Sequence, residues 1–385
     1  MNMPLPTSQV NIPPGVIDLG AGNPPFSLLP VDLLRAAADA CFAHKDPDFL
    51  QYGAEQGDGY TRLALADFLS RGYGIPVDAG NLFMTNGISG GLDLLCTLYT
   101  QAGDTIFVEE PTYFLALRIF ADHGLKLVPI DTDENGLVTE SLEENLRKHK
   151  PKLLYTIPTY QNPSGHTLSA ERRARLVDLA REHNFLIAAD EVYHLLSYEG
   201  KPPRPFSAWT DDAHAVSLGS FSKILAPGLR LGWIHAHPSV IQRLAGSGLL
   251  DSGGGLNPFT SAIVREVITS GDIERNIARL IEIYSSKLKI MDQSLRRHLP
   301  ALEYITPTGG YFFWVRLPSD MDAAELQRKA LDAKVNFRPG VRFSSRDGLK
   351  DYFRISFVFY EPEEIEEGIV RLKHCLDNQQ VALEA

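Results

Sequence analysis

Cysteine is scarce in this chain. Cys41, Cys96 and Cys375 stand far apart among 385 residues, at no spacing that suits a zinc site or a disulfide framework, so three reduced thiols in a cytoplasmic protein are the expectation. No apolar run approaches the length of a membrane span. The opening residues, MNMPLPTSQVNIPPG, lack the basic start and apolar core of a signal peptide. Positive charge is also short: 37 Lys and Arg against 48 Asp and Glu leave a net charge of -11, which disfavours nucleic-acid and anionic-membrane partners. Histidines are scattered. His235 and His237 form the tight pair, and with no carboxylate or cysteine at ligand spacing they suggest no metal site.

What is present is an ordinary globular composition in a chain long enough to split into two cores. The first 30 residues, rich in proline and glycine, read as extended chain. Helical patterns cover about 31–44, 60–73, 91–100 and 169–183. Short apolar strands fall at 104–109, 125–130, 152–157, 185–189 and 215–218. This alternation predicts an α/β fold with a mostly parallel sheet between helices, and ligands at the carboxyl ends of its strands. A long helix over 275–297 leads to strands at 311–317, 335–338 and 352–357 and a last helix over 362–375, which reads as a smaller α+β domain. The predicted division is a large domain over 45–280, and a small one built from 1–44 and 281–385. The glycine-rich run 247–257 reads as a mobile loop.

Chemistry-bearing residues follow the apolar strands. Lys223 lies between serines in Ser220-Phe221-Ser222-Lys223, and Arg230 comes seven residues later. Such a lysine suits a Schiff base with an aldehyde cofactor, and hydroxyls with a guanidinium suit its phosphate; a solvated loop has the same letters. Asp190 ends the run FLIAA, where it would either partner a protonated ring nitrogen or cap the next helix. Tyr193 follows and could point the same way. Asn162 sits in the turn Asn162-Pro163-Ser164-Gly165, a plain turn signal or an amide donor to a phenolic oxygen. Thr85-Asn86-Gly87-Ile88-Ser89-Gly90-Gly91 opens a helix as a possible anion cradle. It is neither a dinucleotide nor a Walker loop. Arg354, in Phe353-Arg354-Ile355-Ser356-Phe357, wants a carboxylate, from a substrate or from an internal acid.

Taken together these segments resemble the class I and II aminotransferases among fold-type I pyridoxal-phosphate enzymes. Asn162, Asp190, Tyr193, Lys223 and Arg230 occur in the family's order, with gaps of 28, 3, 30 and 7 residues. Gly309-Gly310-Tyr311-Phe312-Phe313-Trp314, Pro339-Gly340 and Phe353–Phe357 look like its C-terminal signatures. The likeness runs from about Asp18 to Cys375. The stretch 343–348 and the terminal FRISF most resemble the subgroup of 2-aminoadipate and broad aromatic aminotransferases, which also includes effector domains of transcription regulators.

The resemblance implies pyridoxal 5'-phosphate as cofactor and a ping-pong transfer of an amino group from an L-amino acid to a 2-oxo acid, 2-oxoglutarate or pyruvate. It implies that Lys223 carries the cofactor and moves the substrate proton, that Asp190 pairs with the pyridine nitrogen, and that Tyr193 and Asn162 hold the phenolic oxygen. Ile88, Ser89, Gly90, Ser220, Ser222 and Arg230 would hold the phosphate, and Tyr113 would stack on the ring. Arg354, with Asn162 and the backbone at Gly22, would bind the α-carboxylate. Tyr52, in Gln51-Tyr52-Gly53, would reach the phosphate of the neighbouring subunit in a homodimer. Arg338, a bulky residue ahead of Pro339-Gly340, reads as a surface charge or as facing the substrate side chain. The same fold also serves C–S β-lyases, decarboxylases and cyclases. A remoter alternative is a non-enzymatic sensor module. Such a regulator carries a DNA-binding domain of roughly 60 residues upstream, which is not expected in an acidic chain that starts about 18 residues before the first family motif.

Overall fold

A computed structural model describes the backbone of residues 7–384 and the side chains of residues 7–377. The start of the expected extended segment, residues 1–6, lies outside the described residues. Its central feature is an eight-stranded sheet. In spatial order the strands are Leu82–Thr85, Gly232–Ala236, Ala215–Ser220, Leu186–Asp190, Pro151–Thr156, Thr105–Glu110, Lys126–Asp133 and Gly136–Leu137. The pairings from Ala215–Ser220 across to Lys126–Asp133 are parallel, whereas Gly232–Ala236 runs antiparallel to both of its neighbours. The inner strands are buried along their whole length, as in Leu186–Asp190 and Ala215–Ser220. Both faces are covered, which explains why they read as continuous apolar runs rather than alternating ones.

Among the strands of this sheet that have no counterpart in the pattern read from the sequence are Leu82–Thr85 and Gly232–Ala236. Each is short, and each sits against a functional turn whose glycines and charges mask the strand signal. The helix expected over 91–100 begins at Gly87 and ends at Tyr99. Its first turn is Gly-Ile-Ser-Gly, poor in helix propensity, so periodicity alone finds it only from Leu92 onward. Gly87 takes φ +75°, a conformation an L side chain resists, and so turns the chain from strand into helix.

A second, four-stranded antiparallel sheet is ordered Glu303–Tyr304, Phe312–Arg316, Tyr352–Ser356 and Arg338–Pro339. The strand expected over 335–338 is two strands. Val335–Asn336 pairs in parallel with Ile17–Asp18, and Arg338–Pro339 joins the four-stranded sheet. The break falls at Phe337, where the Asn336 side chain accepts the Phe337 N–H at 2.9 Å. The N-terminal segment is thus stitched to the C-terminal part of the chain. The long helix Asp272–His298 carries acids in its first turn and Arg296, Arg297 and His298 in its last, matching the helix dipole. Position 280 falls inside this helix.

The run 247–257 is not a loop. It holds a helix, Gly248–Gly253, and Gly255 donates its N–H to the Gly53 carbonyl at 2.7 Å. A Cβ on Gly255 would stand 1.8 Å from the Ala54 carbonyl oxygen, so glycine at 255 answers to close backbone packing, not to flexibility. No described helix is long and apolar enough to cross a membrane.

Candidate active site

The carboxyl ends of the parallel strands open on one cleft, facing the four-stranded sheet. Strand Ala215–Ser220 delivers Lys223. The Ser220 hydroxyl accepts the Ser222 N–H at 3.1 Å and donates to the Ser222 hydroxyl at 2.8 Å, which folds the chain so that Lys223 enters the cleft half-buried. Its Nζ donates to the Gly22 carbonyl at 2.7 Å and lies 5.1 Å from the Tyr311 ring centre. Burial, with the nearby Arg354 charge, pulls the ammonium down to about 8, while Asp190 works against it. An amine tuned that low is poised to exchange protons near neutral pH.

Strand Leu186–Asp190 ends on a buried carboxylate. Asp190 Oδ2 accepts from the Tyr155 hydroxyl at 2.9 Å and Oδ1 from the Val192 N–H at 3.3 Å. Burial holds its carboxyl up at about 6. A carboxylate so placed gains from a cationic partner, such as a protonated ring nitrogen. Tyr193 is buried, with its ring 5.3 Å from Tyr311 and 6.0 Å from Phe312, and its hydroxyl has no hydrogen-bond partner among the described residues. Tyr113 is half-buried where it senses Asp190, Arg354 and Arg230 together.

Arg354 is the buried cation of the site. Nη1 donates to Asn162 Oδ1 at 2.7 Å, Nη2 donates to the Gly20 carbonyl at 2.8 Å, and the guanidinium lies 4.0 Å from the Phe312 ring centre. Its Nε is buried without a partner. No carboxylate forms an ion pair with it among the described residues, so the internal salt bridge weighed from the sequence is not found. Asn162 spends its oxygen on Arg354 and keeps its amide N–H groups to donate. Gly22 offers its carbonyl to Lys223.

A third corner is built for an anion. The first turn of helix Gly87–Tyr99, which includes Ile88, Ser89 and Gly90, has no side-chain cap from Asn86, leaving its N–H groups to bind an outside acceptor. Arg230 Nη2 donates to the Asn86 carbonyl at 3.2 Å, which sets its guanidinium beside that helix start. The Asn257 amide in turn donates to the Arg230 carbonyl. With the Ser220 and Ser222 hydroxyls, these donors suit a phosphate. The corner, the acid at Asp190 and the amine at Lys223 together match what pyridoxal phosphate requires. Tyr52 stands apart, 79% exposed on the rim beside Gly254. Among the described residues no group of three His, Cys, Asp or Glu side chains could hold a metal ion.

Several supporting residues escaped the sequence reading. Tyr155 reads as a core tyrosine in KLLYTI. Gln161 Nε2 donates to Glu109 Oε2 at 3.1 Å and to the Pro111 carbonyl at 2.7 Å, so the turn carrying Asn162 is tied to the segment carrying Tyr113. Buried polar side chains next to Asn162 and at the end of a strand were the available signal. Arg338 is not a lone surface charge: it is half-buried and joined to Asp18 by two contacts of 2.8 Å.

Comparison with known proteins agrees with this geometry. Residues 14–372 match the model of aminotransferase class I and II. The chain is 34% identical over 372 residues to an aromatic-amino-acid aminotransferase of Thermococcus litoralis, covering 94% of this chain and 88% of that one. It is 30% identical over 369 residues to a 2-aminoadipate transaminase of Thermus thermophilus, covering 94% and 90%. Its fold superposes with a TM-score of 0.90 and 30% identity, over 95% and 92% of the chains, on a kynurenine aminotransferase of Pyrococcus horikoshii solved with pyridoxamine phosphate. The chain belongs to the class I and II aminotransferase family, and is a transaminase that uses pyridoxal phosphate.

Proposed function

We propose that this enzyme moves the amino group of an L-amino acid to 2-oxoglutarate or pyruvate in two half-reactions on one site, as a homodimer in the cytoplasm. The observation that carries the reading is Arg354, a buried guanidinium with an unpartnered Nε, in the same cleft as Lys223. A planar fork of this kind takes a carboxylate, and an α-amino acid held there puts its Cα within the reach of an amine. Bound pyridoxal phosphate supplies an aldehyde for the amino group and a ring that delocalises the electron pair left at Cα.

In this reading Lys223 carries the cofactor, then would take the proton from Cα and deliver it to the cofactor's C4′ carbon. Asp190 keeps the ring nitrogen protonated. Tyr193 and Asn162 donate to the phenolic oxygen, and Tyr113 lies on the ring face. Ile88, Ser89, Gly90, Ser220, Ser222 and Arg230 hold the phosphate. Arg354, with Asn162 and the Gly22 backbone, orients the α-carboxylate. The division into 45–280 against 1–44 with 281–385 belongs to the same reading, with the cleft between the two parts.

The homodimer is supported by an apolar surface beside Tyr52. Phe42 packs 5.5 Å from Phe49 and 6.2 Å from Phe259, ring centre to ring centre, and Phe42, Leu50 and Phe259 are exposed. A second copy would cover this face and bring Tyr52 to the partner's phosphate. The relatives' names point to aromatic amino acids, kynurenine or 2-aminoadipate as donors. An absorbance spectrum of the protein with pyridoxal phosphate, taken with single amino acids and then oxo acids, is the test. Loss of the visible band with an amino acid and its return with an oxo acid supports transfer. Ammonia release without an acceptor would instead indicate lyase chemistry.

A further inference from the structure

The pair Asp18–Arg338 lies outside every role assigned above, yet it holds the segment on which two of those roles depend. Asp18 ends the short strand Ile17–Asp18, and its N–H donates to the Tyr360 hydroxyl at 2.7 Å. Its carboxylate accepts both Arg338 nitrogens at 2.8 Å and also the Gly20 N–H at 3.0 Å. The Gly20 carbonyl accepts from Arg354 and the Gly22 carbonyl from Lys223. One short strap, residues 18–22, thus touches Arg338, Arg354 and Lys223 in turn. Arg338 lies flat on that strap: a Cβ on Gly20 would stand 2.6 Å from its Nη1.

Arg338 and Arg354 are also cross-strand partners in the four-stranded sheet, so their side chains leave the same face. Two guanidiniums side by side in a buried place repel one another. Asp18, with only 10% of its side chain exposed, neutralises Arg338 and leaves Arg354 as the cation available to a carboxylate. We infer that Asp18–Arg338 is a positioning pair: it presses the 18–22 strap against Arg354 and Lys223, so that the clamp's guanidinium is aimed before substrate arrives. The inference rests on the reading of Arg354 as the α-carboxylate clamp. Because it acts through that clamp, its effect is common to all substrates whatever their side chains.

The test uses the holoenzyme, with KM and kcat for an apolar, an aromatic and an acidic amino acid, and hydrogen exchange of the amides in 18–22. Arg338→Ala is expected to raise KM by about tenfold for all three, with kcat changing far less, and to speed exchange in the strap. Arg338→Lys, which keeps the charge and one contact, should recover part of the loss. Should Arg338→Ala fold poorly because Asp18 is left unpaired, the neutral double variant Asp18→Asn/Arg338→Gln decides: it keeps a hydrogen bond across the pair and should exchange and bind close to the unmodified enzyme. A rise in KM confined to the acidic substrate would overturn the inference, since Arg338 would then be reading a side-chain carboxylate. So would unchanged KM with only a lower melting temperature. Arg354→Lys is the reference. If it leaves KM unmoved, the clamp reading fails and takes this inference with it; if it raises KM while Arg338→Ala does not, only the positioning role fails.

Discussion

Arg354 and Asn162 meet at 2.7 Å, Nη1 to Oδ1, although 192 residues separate them. The contact joins the four-stranded sheet to a turn leaving the eight-stranded one. It also fixes the orientation of the Asn162 amide, because an oxygen committed to a guanidinium leaves the N–H groups facing the other way. The proposed substrate clamp and the turn proposed to face the cofactor are therefore one unit. Arg354→Lys keeps the charge and loses the fork, so it should raise KM for the amino acid by roughly 30- to 100-fold and disturb the visible absorbance through Asn162. Steady-state kinetics and the spectrum of the holoenzyme check both parts.

The Lys223 ammonium is drawn down to about 8 by burial and the nearby Arg354 charge. Lys223→Ala should remove covalent retention of pyridoxal phosphate, seen as no borohydride-fixed mass increase, and should lower turnover by at least ~10^3-fold. Turnover within tenfold of the unmodified enzyme would defeat the assignment.

Asp190 gives a pH signature. Its carboxyl titrates at about 6 in the fold against an ordinary 3.8. Between these values the native chain binds more protons than the unfolded chain, so this group makes stability fall as pH rises from about 4 through 6. In cofactor-free protein, Asp190→Asn should remove that slope and leave the variant more stable at pH 7 by on the order of 2 kcal/mol. With pyridoxal phosphate bound, a protonated ring nitrogen beside Asp190 would offset the cost of ionisation, and the two proteins should converge or cross. Denaturant midpoints at pH 4, 5, 6 and 7, with and without cofactor, measure this. Parallel curves for the two proteins would refute it.

Much of this was legible in the chain because the signals are local. Lys223, Asp190 and Asn162 each follow an apolar run, and a strand followed by a polar residue marks the functional end of a parallel sheet. What stayed hidden depends on distant partners. Asp18 and Arg338 are 320 residues apart, and neither letter says that the other waits for it. The run 247–257 differs for the opposite reason: its glycines suggest freedom, whereas Gly255 is set by the close approach of the Ala54 carbonyl. Composition gives the residue type and not which of these demands it answers.

That correction is itself testable. Gly255→Ala would force a Cβ into the Ala54 carbonyl, costing roughly 1–3 kcal/mol of stability. Because Asn257, two residues on, holds the Arg230 carbonyl, the same variant should bind pyridoxal phosphate more weakly. A mobile loop would tolerate the change in both assays.

Tyr52 carries the prediction about assembly. It is 79% exposed in the single chain, as a side chain serving a neighbouring copy's phosphate in the proposed homodimer would be. In a twofold dimer each site would then combine Lys223 of one copy with Tyr52 of the other. Tyr52→Ala and Lys223→Ala, mixed in equal amounts and allowed to exchange subunits, would form hybrids in half of the dimers. One site of each hybrid would carry both defects and its second site neither. The mixture should recover about a quarter of full activity, with native affinity for pyridoxal phosphate at the restored sites. If every site were built from one chain, each hybrid would hold one site without its lysine and one without its tyrosine, and mixing would restore nothing. Titration of the mixture with cofactor separates the two outcomes, because restored sites fill at the concentration that fills the unmodified enzyme, whereas sites lacking Tyr52 fill only at a higher one.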